Sequence, residues 1–393
     1  MQMATEVVSG QTQTFEAEVQ RIETPVEEYF FEGAEKLLEL WFERSSGNGK
    51  IGSLRDIPRD EIDAMLDVAR CKILHSKHDD KIDSYVLSES SLFISDNRLI
   101  IKTCGSTRLL ATLPVIIRLA SDYANLDQVQ SVYYSRKNFL RPDLQHPLYK
   151  SFDAEVAYLD QFFEDGHAYC LGSLKQDRWY LYTMHRQPKK TKMASRNPDH
   201  TLEILMNDLD SDILPVFTKD VCEDGRECFE KSGITHLIPN SAIVHDEMFD
   251  PCGYSMNAFM PDTDQYATIH VTPESQFSFA SFETNIDANC LYKQTKKVVN
   301  CFRPGKLLMT VFANENSVKG KDAQQQLWEC ELPGYKRTNV QFVRLEVKIR
   351  LRQFFRVSIE IFRRKPWSML ISSEETQLIL TKTTAKEANR KES

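Results

Sequence analysis

Three observations predict an α+β protein built on antiparallel sheets. Runs of period-two hydrophobicity outnumber runs of helical spacing. They lie side by side, separated by turn-forming residues such as Asp96-Asn97, and no strand–helix–strand alternation of the kind a parallel sheet needs is visible. The 393 residues suffice for one large or two medium domains, and a hydrophobic content of 41% is that of an ordinary globular chain.

Residues 1–28, rich in Thr, Gln, Glu and Val with no aromatic before Phe15, are expected to be a flexible extension. A helix is predicted over 33–44: Leu37, Leu38, Trp41 and Phe42 form an apolar stripe, while Glu28, Glu32, Glu35, Glu39 and Glu43 recur at helical steps on another side. Taken alone, that acidic stripe reads as a solvated face. A Ser/Gly-rich loop over 45–53 leads to a second helix through about Val68, with Pro58 at its start and Asp60 and Glu61 placed to suit the helix dipole. A strand over 98–103 returns after Asp96-Asn97 as a hairpin and ends at Cys104-Gly105. Helical spacing resumes through Leu109, Leu113, Ile116, Ile117 and Ala120, followed by strands near 129–134, 168–174 and 179–184. The basic stretch 187–199, with Pro188 and Pro198, reads as an exposed loop. Then come a helix over 201–209, strands over 267–272 and 277–283, and a helix near 291–302.

The stretch between the second helix and this hairpin breaks the local rules. In Tyr85-Val86-Leu87-Ser88-Glu89-Ser90-Ser91-Leu92-Phe93-Ile94 the apolar residues call for a strand, yet Ser-Glu-Ser-Ser has poor strand propensity and needs hydrogen-bond partners if buried. Such local inconsistency marks a functional site. The far end is unusual too. From 344 to 365 apolar residues occupy 345, 347, 349, 351, 355, 357, 359 and 361, interleaved with charge that sums to +6 (eight Lys or Arg against two Glu). This is a long amphipathic strand, a lineage-specific addition, or the translation of an intron or splice variant. The last two are favoured, so 343–393 is set apart as an atypical basic extension.

A net charge of −8 and a pI near 5.7 argue against nucleic acid or an anionic membrane as partner and suit a small cationic ligand. The nine cysteines are odd in number and scattered, without CxxC pairs or zinc-like spacing, so neither a disulfide framework nor a metal site is expected. Residues 1–24 lack an apolar core of the signal-peptide kind, and no run of about 18 apolar residues occurs, which makes the cytoplasm the default compartment.

The run YVLSESSLFIS followed by Lys102-Thr103-Cys104-Gly105 resembles the eukaryotic S-adenosylmethionine decarboxylases, pyruvoyl-dependent enzymes of polyamine synthesis. The resemblance continues in order through Phe30-Phe31-Glu32-Gly33, Ser135-Arg136-Lys137-Asn138-Phe139, Thr201-Leu202-Glu203-Ile204-Leu205-Met206, Pro251-Cys252-Gly253-Tyr254-Ser255-Met256-Asn257, His270-Val271-Thr272-Pro273-Glu274 and Phe282-Glu283-Thr284-Asn285. It covers roughly 29–342. It implies a four-layer αββα sandwich of two antiparallel sheets flanked by helices, with an internal duplication that the sequence does not display. It also implies self-cleavage between Glu89 and Ser90, after which Ser90 becomes a pyruvoyl group that forms a Schiff base with S-adenosylmethionine and accepts the electron pair left when carbon dioxide departs. The product would serve as aminopropyl donor for spermidine and spermine.

Residue roles follow from the same resemblance. His270 removes the Ser90 α-proton, Ser255 orients the processing centre, and Cys104 protonates the substrate carbon. Glu32 and Glu35 assist catalysis or processing; Glu89, Phe31 and Phe249 contact the substrate, the two rings enclosing the adenine, and Glu274 holds the ribose hydroxyls. Glu39, Lys102, Ser135, Asp199, Thr201, Glu203, Glu283 and Phe312 match or adjoin the acidic site at which animal members bind putrescine as an activator, with Tyr133 where those members tend to carry phenylalanine. The implied assembly is a homodimer of processed heterodimers. Without the motifs, His270 reads as a satisfied strand histidine, Cys104 as a small buried hydrophobe, the phenylalanines as core and Asp199 as a helix cap. Two rivals stand beside the decarboxylase. One is an unprocessed regulatory paralogue of the same family, against which intact Glu89, Ser90, Cys104, Ser255 and His270 speak; the other is a Ser/Cys/His hydrolase, for which no G-x-S-x-G elbow is present.

Overall fold

The computed structural model describes residues 30–45, 51–186, 199–314, 316–346 and 354–365. The extension expected over 1–28 and most of the loop expected over 187–199 lie outside the described residues. The first half of the chain forms strands β1 (Lys36–Glu43), β2 (Ile73–His78), β3 (Asp83–Leu87), β4 (Ser90–Ile94), β5 (Arg98–Thr103), β6 (Gln128–Lys137), β7 (His167–Gly172) and β8 (Arg178–His185), with helices α1 (Arg59–Ala69), α2 (Leu113–Ala124) and α3 (Phe152–Leu159). The second half forms β9 (His200–Asn207), β10 (Ile243–Met248), β11 (Tyr254–Phe259), β12 (Tyr266–Thr272), β13 (Phe279–Thr284), β14 (Lys306–Asn314), β15 (Tyr335–Glu346) and β16 (Phe354–Arg364), with α4 (Gly225–Lys231), α5 (Leu291–Phe302) and α6 (Val318–Glu329).

Each half closes into one eight-stranded antiparallel sheet, in the orders β2-β3-β4-β5-β1-β6-β8-β7 and β10-β11-β12-β13-β9-β14-β16-β15. Every strand of the first order maps onto the second by adding eight, so the duplication implied by resemblance is explicit in the topology. The outer face of each sheet packs on helices. Leu38, Leu40 and Phe42 of β1 join Leu66 and Ile116 in one core, and Leu202, Ile204 and Met206 of β9 join Val298, Phe302 and Leu327 in the other. The inner faces meet through Trp179 and Leu181 against Leu205, Leu308 and Ile359, and through Leu37, Phe93 and Ile100 against Phe259 and Tyr266. The layers are therefore helix, sheet, sheet, helix.

Three sequence expectations are corrected. The helices expected over 33–44 and 201–209 are the strands β1 and β9, which occupy equivalent central places in the two sheets. A strand flanked on both sides and covered on both faces carries apolar residues in both registers, so pairs such as Leu37-Leu38 and Trp41-Phe42 mimic a helical stripe. The third correction concerns the segment set apart as an appendage. β16 is an interior strand that pairs with β14 from Lys306↔Arg363 to Asn314↔Phe355 and with β15 on its other side, in the place that β8 takes in the first sheet. The boundary expected after 342 falls inside β15.

Candidate active site

The hairpin between β3 and β4 turns on Ser88 and Glu89, and Ser90 pairs back to Leu87 as the first residue of β4. Ser90 is buried at φ +125°, a region natural to glycine and strained for a residue with a Cβ. The carbonyl that precedes it, Glu89 O, accepts the Cys104 backbone N–H at 3.1 Å, and the Cys104 Sγ lies 3.6 Å from the same oxygen. The β4–β5 hairpin brings Cys104 there, since Ser90 pairs with Thr103. On the other side, Ser90 Oγ donates to Glu35 Oε1 at 2.7 Å. One serine thus has a polarised carbonyl before it and a carboxylate on its hydroxyl.

Glu35 belongs to a buried charge cluster around Lys102 of β5, whose Nζ stands 2.8 Å from Glu283 Oε2, 3.2 Å from Glu35 Oε2 and 3.5 Å from Glu203 Oε1. Burial works to raise the Glu35 carboxyl, but Lys102, His270 and the Ser90 hydroxyl together hold it down at about 2. Burial pushes Glu203 up to about 7, helped by its carboxylate neighbours and opposed by Lys102. The Lys102 ammonium, desolvated yet ringed by three carboxylates, stays charged.

His270 of β12 is held on both ring nitrogens. Nδ1 is 2.8 Å from Ser255 Oγ of β11, and Nε2 is 2.7 Å from Thr268 Oγ1 and 2.9 Å from Ser91 Oγ. Burial lowers the imidazole to about 4 despite the attraction of Glu35, so the ring is neutral at physiological pH and able to accept a proton. Burial, and then the charge of Glu35, push the Cys104 thiol well above its usual range, which keeps it protonated. Ser90, Glu35, Cys104, Ser255 and His270, scattered over 236 positions of sequence, therefore meet.

Other expected residues take different posts. Glu32 Oε2 accepts the backbone N–H groups of Leu140 (2.7 Å) and Arg141 (3.1 Å), bracing the loop after β6 instead of reaching Ser90. The Phe31 ring lies against Gly105: a Cβ there would sit 3.0 Å from Phe31 Cε2, and φ +59° independently favours glycine. Phe249 follows β10 and donates its N–H to Gly253 O at 2.9 Å. Glu274 stands beside Cys252, and its buried Oε2 has no hydrogen-bond partner among the described residues.

The residues expected to hold a diamine divide into two linked groups. Glu39 Oε1 accepts from Arg98 Nε at 2.8 Å and Trp41 Nε1 at 2.6 Å, and the guanidinium lies over the rings of Trp41 and Tyr266. Burial raises the Asp199 carboxyl, with Arg98 opposing. Tyr133 meets Phe312 edge-on at 6.1 Å, while Ser135 pairs with Leu37 and Thr201 with Phe312 across their strands. The Tyr266 hydroxyl donates to Glu283 Oε1 at 2.5 Å, which joins the Arg98 group to the Lys102 cluster.

Residues 28–355 match the family model for adenosylmethionine decarboxylase. The chain belongs to the adenosylmethionine decarboxylase family. It is 72% identical over 334 residues to the S-adenosylmethionine decarboxylase proenzyme of Caenorhabditis elegans, covering 85% of this chain and 90% of that protein. The proenzyme of Onchocerca volvulus is 51% identical over 320 residues (81% and 86%), and that of Drosophila melanogaster 43% over 326 residues (80% and 91%). Among solved structures, the AdoMetDC-delta26 monomer of Trypanosoma brucei superposes with a TM-score of 0.52 at 25% identity, over 70% of this chain and 99% of that one.

For this decarboxylase-family chain, sequence reasoning missed Arg98, Asn257, Thr268 and Tyr266 as parts of the polar interior. The available signal was polar residues interrupting apolar strands at Asn257 and Thr268. Among the described residues no helix is long and apolar enough to cross a membrane.

Proposed function

We propose that this chain is a self-processing decarboxylase of S-adenosylmethionine. The observation that carries the reading is Ser90 itself, strained, with its hydroxyl on Glu35 and the preceding carbonyl on Cys104. Ser90 Oγ attacks the Glu89 carbonyl carbon, and the charge that develops on oxygen meets the Cys104 N–H. Glu35 orients the hydroxyl; with its carboxyl near 2 it is too weak a base to keep the proton, which ends on the Ser90 amine as the peptide C–N bond breaks and an ester forms. Neutral His270 then removes the Ser90 α-proton, and the ester oxygen leaves with the Glu89 carboxylate. Hydrolysis of the resulting dehydroalanine releases ammonia and leaves a pyruvoyl amino terminus. That group supplies the electron-accepting ketone the reaction needs.

The surrounding residues suit the substrate. Phe31, beside the Cys104-Gly105 turn, and Phe249 offer ring faces for the adenine, and the unpartnered Glu274 Oε2 offers an acceptor to the ribose hydroxyls. The protonated Cys104 thiol is the acid for the product carbon. A diamine regulates the enzyme in this reading: three carboxylates share Lys102, and Glu39 and Asp199 share Arg98, so a dication such as putrescine between Asp199, Glu39 and Thr201 offsets the remaining charge. The proposed assembly is a homodimer of processed heterodimers in the cytoplasm.

The test is the intact mass of the purified protein. Processing yields two chains, 1–89 and 90–393, the second blocked to amino-terminal sequencing and active in releasing carbon dioxide from S-adenosylmethionine. One full-length chain without activity would refute the reading and leave the unprocessed paralogue.

A further inference from the structure

Asn257 on β11 is fully buried, and the backbone sets its amide orientation: Nδ2 donates to the Tyr85 carbonyl at 2.9 Å, which turns Oδ1 towards β4 and β12. There Oδ1 accepts from Ser91 Oγ at 2.5 Å and Thr268 Oγ1 at 3.1 Å, the two hydroxyls that also face His270 Nε2. A hydroxyl has one proton to give. If both protons go to Oδ1, only lone pairs face Nε2, and that nitrogen carries the ring hydrogen. If Thr268 instead donates to Nε2, the hydrogen sits on Nδ1. Asn257 favours the first by accepting from both hydroxyls, which stand closer to Nε2 than Glu35 does, and Glu35 reinforces it: its carboxylate lies 3.6 Å from Nε2, where it attracts an N–H and repels a lone pair. We propose that Asn257 is a positioning residue that holds His270 as the Nε2–H tautomer, leaving its basic lone pair on Nδ1, where the Ser255 hydroxyl donates to it.

This inference rests on the proposed role of His270 and assigns the nitrogen from which that role starts. Asn257→Leu removes the acceptor at similar volume and releases the hydroxyl protons towards Nε2; Asn257→Asp keeps an acceptor. In full-length precursors kept intact by Ser90→Ala and labelled with ¹⁵N-histidine, His270, assigned by its loss in His270→Gln, should carry its hydrogen on Nε2 in the parent and in Asn257→Asp. In Asn257→Leu the hydrogen should move to Nδ1. With Ser90 intact, Asn257→Leu should slow conversion of the ester into mature chains by roughly a hundredfold, the lower range for a general base. The ester then accumulates and is cleaved by hydroxylamine, and Asn257→Asp recovers most of the rate. A variant that merely misfolds keeps its amide bond and shows no hydroxylamine-sensitive fraction, which would overturn the positioning role. A hydrogen on Nδ1 in the parent would overturn the proposal whatever the variants do. Failure of the wild-type chain to cleave would refute the proposed function and leave the tautomer readout standing.

Discussion

Lys102→Met keeps the apolar stem of a fully buried side chain and removes the charge that Glu35, Glu203 and Glu283 share. Against the upward pull of burial, Lys102 is the largest influence holding the Glu35 carboxyl at about 2 instead of its ordinary 4.5. At about 1.4 kcal/mol per pKa unit that depression is worth about 3 kcal/mol. Stripping one partner from a buried ion pair costs about 3–5 kcal/mol, so the two routes agree. A carboxyl held low contributes stability that is complete above its unfolded value of 4.5 and lost as pH falls through 2. Without Lys102 the sign reverses. Glu35 then joins Glu203, already pushed up to about 7, among groups whose stabilising contribution is present below 4.5 and lost as pH rises.

Urea unfolding followed by tryptophan fluorescence, in a Ser90→Ala background so that both proteins stay uncleaved, reads this directly. Lys102→Met should lose about 3–5 kcal/mol at neutral pH and regain part of it on mild acidification, which the parent should not do to the same extent. A loss below about 1 kcal/mol, the worth of an exposed pair, with an unaltered pH profile would refute the assignment of Lys102 as the common counter-ion.

Cys104→Ala keeps the backbone N–H that polarises Glu89 O, so cleavage should persist while turnover falls roughly a hundredfold with misprotonated product; full turnover would remove the thiol from the reaction. Putrescine should stimulate cleavage and decarboxylation of the parent, and Asp199→Val should abolish that response; equal parental rates with and without the diamine would show that the acidic group does not serve one. Truncation after Glu346 uncovers β14 and deletes the buried Val357, Ile359, Ile361 and Phe362, a loss of about 6–12 kcal/mol at about 1.5–3 each, so the product should be insoluble and uncleaved. A soluble, self-cleaving truncation would make this segment dispensable after all.

The sequence alone determined the local elements and the chemistry-bearing motifs. The strand over 98–103 was legible from the Asp96-Asn97 turn before it, the helices α1, α2 and α5 because one face of each is apolar at the helical period, and the Ser88-Glu89-Ser90-Ser91 knot because it violates the strand around it. Only the tertiary structure decided the rest. β1 and β9 become strands because sheets close on both their edges and apolar layers cover both faces, an environment that no window of local sequence contains. The period-two pattern of β16 was visible, but that it fills the place between β14 and β15 depends on a second half that repeats the first. The site shows the same division. Ser90 and His270 were nameable, whereas the strain at Ser90, the neutrality of His270 and the ionised state of Glu35 arise from burial and from partners such as Lys102 and Glu283, 181 residues apart in the chain. Protonation depends on local dielectric and on charges within a few ångströms, and only the folded chain sets those distances.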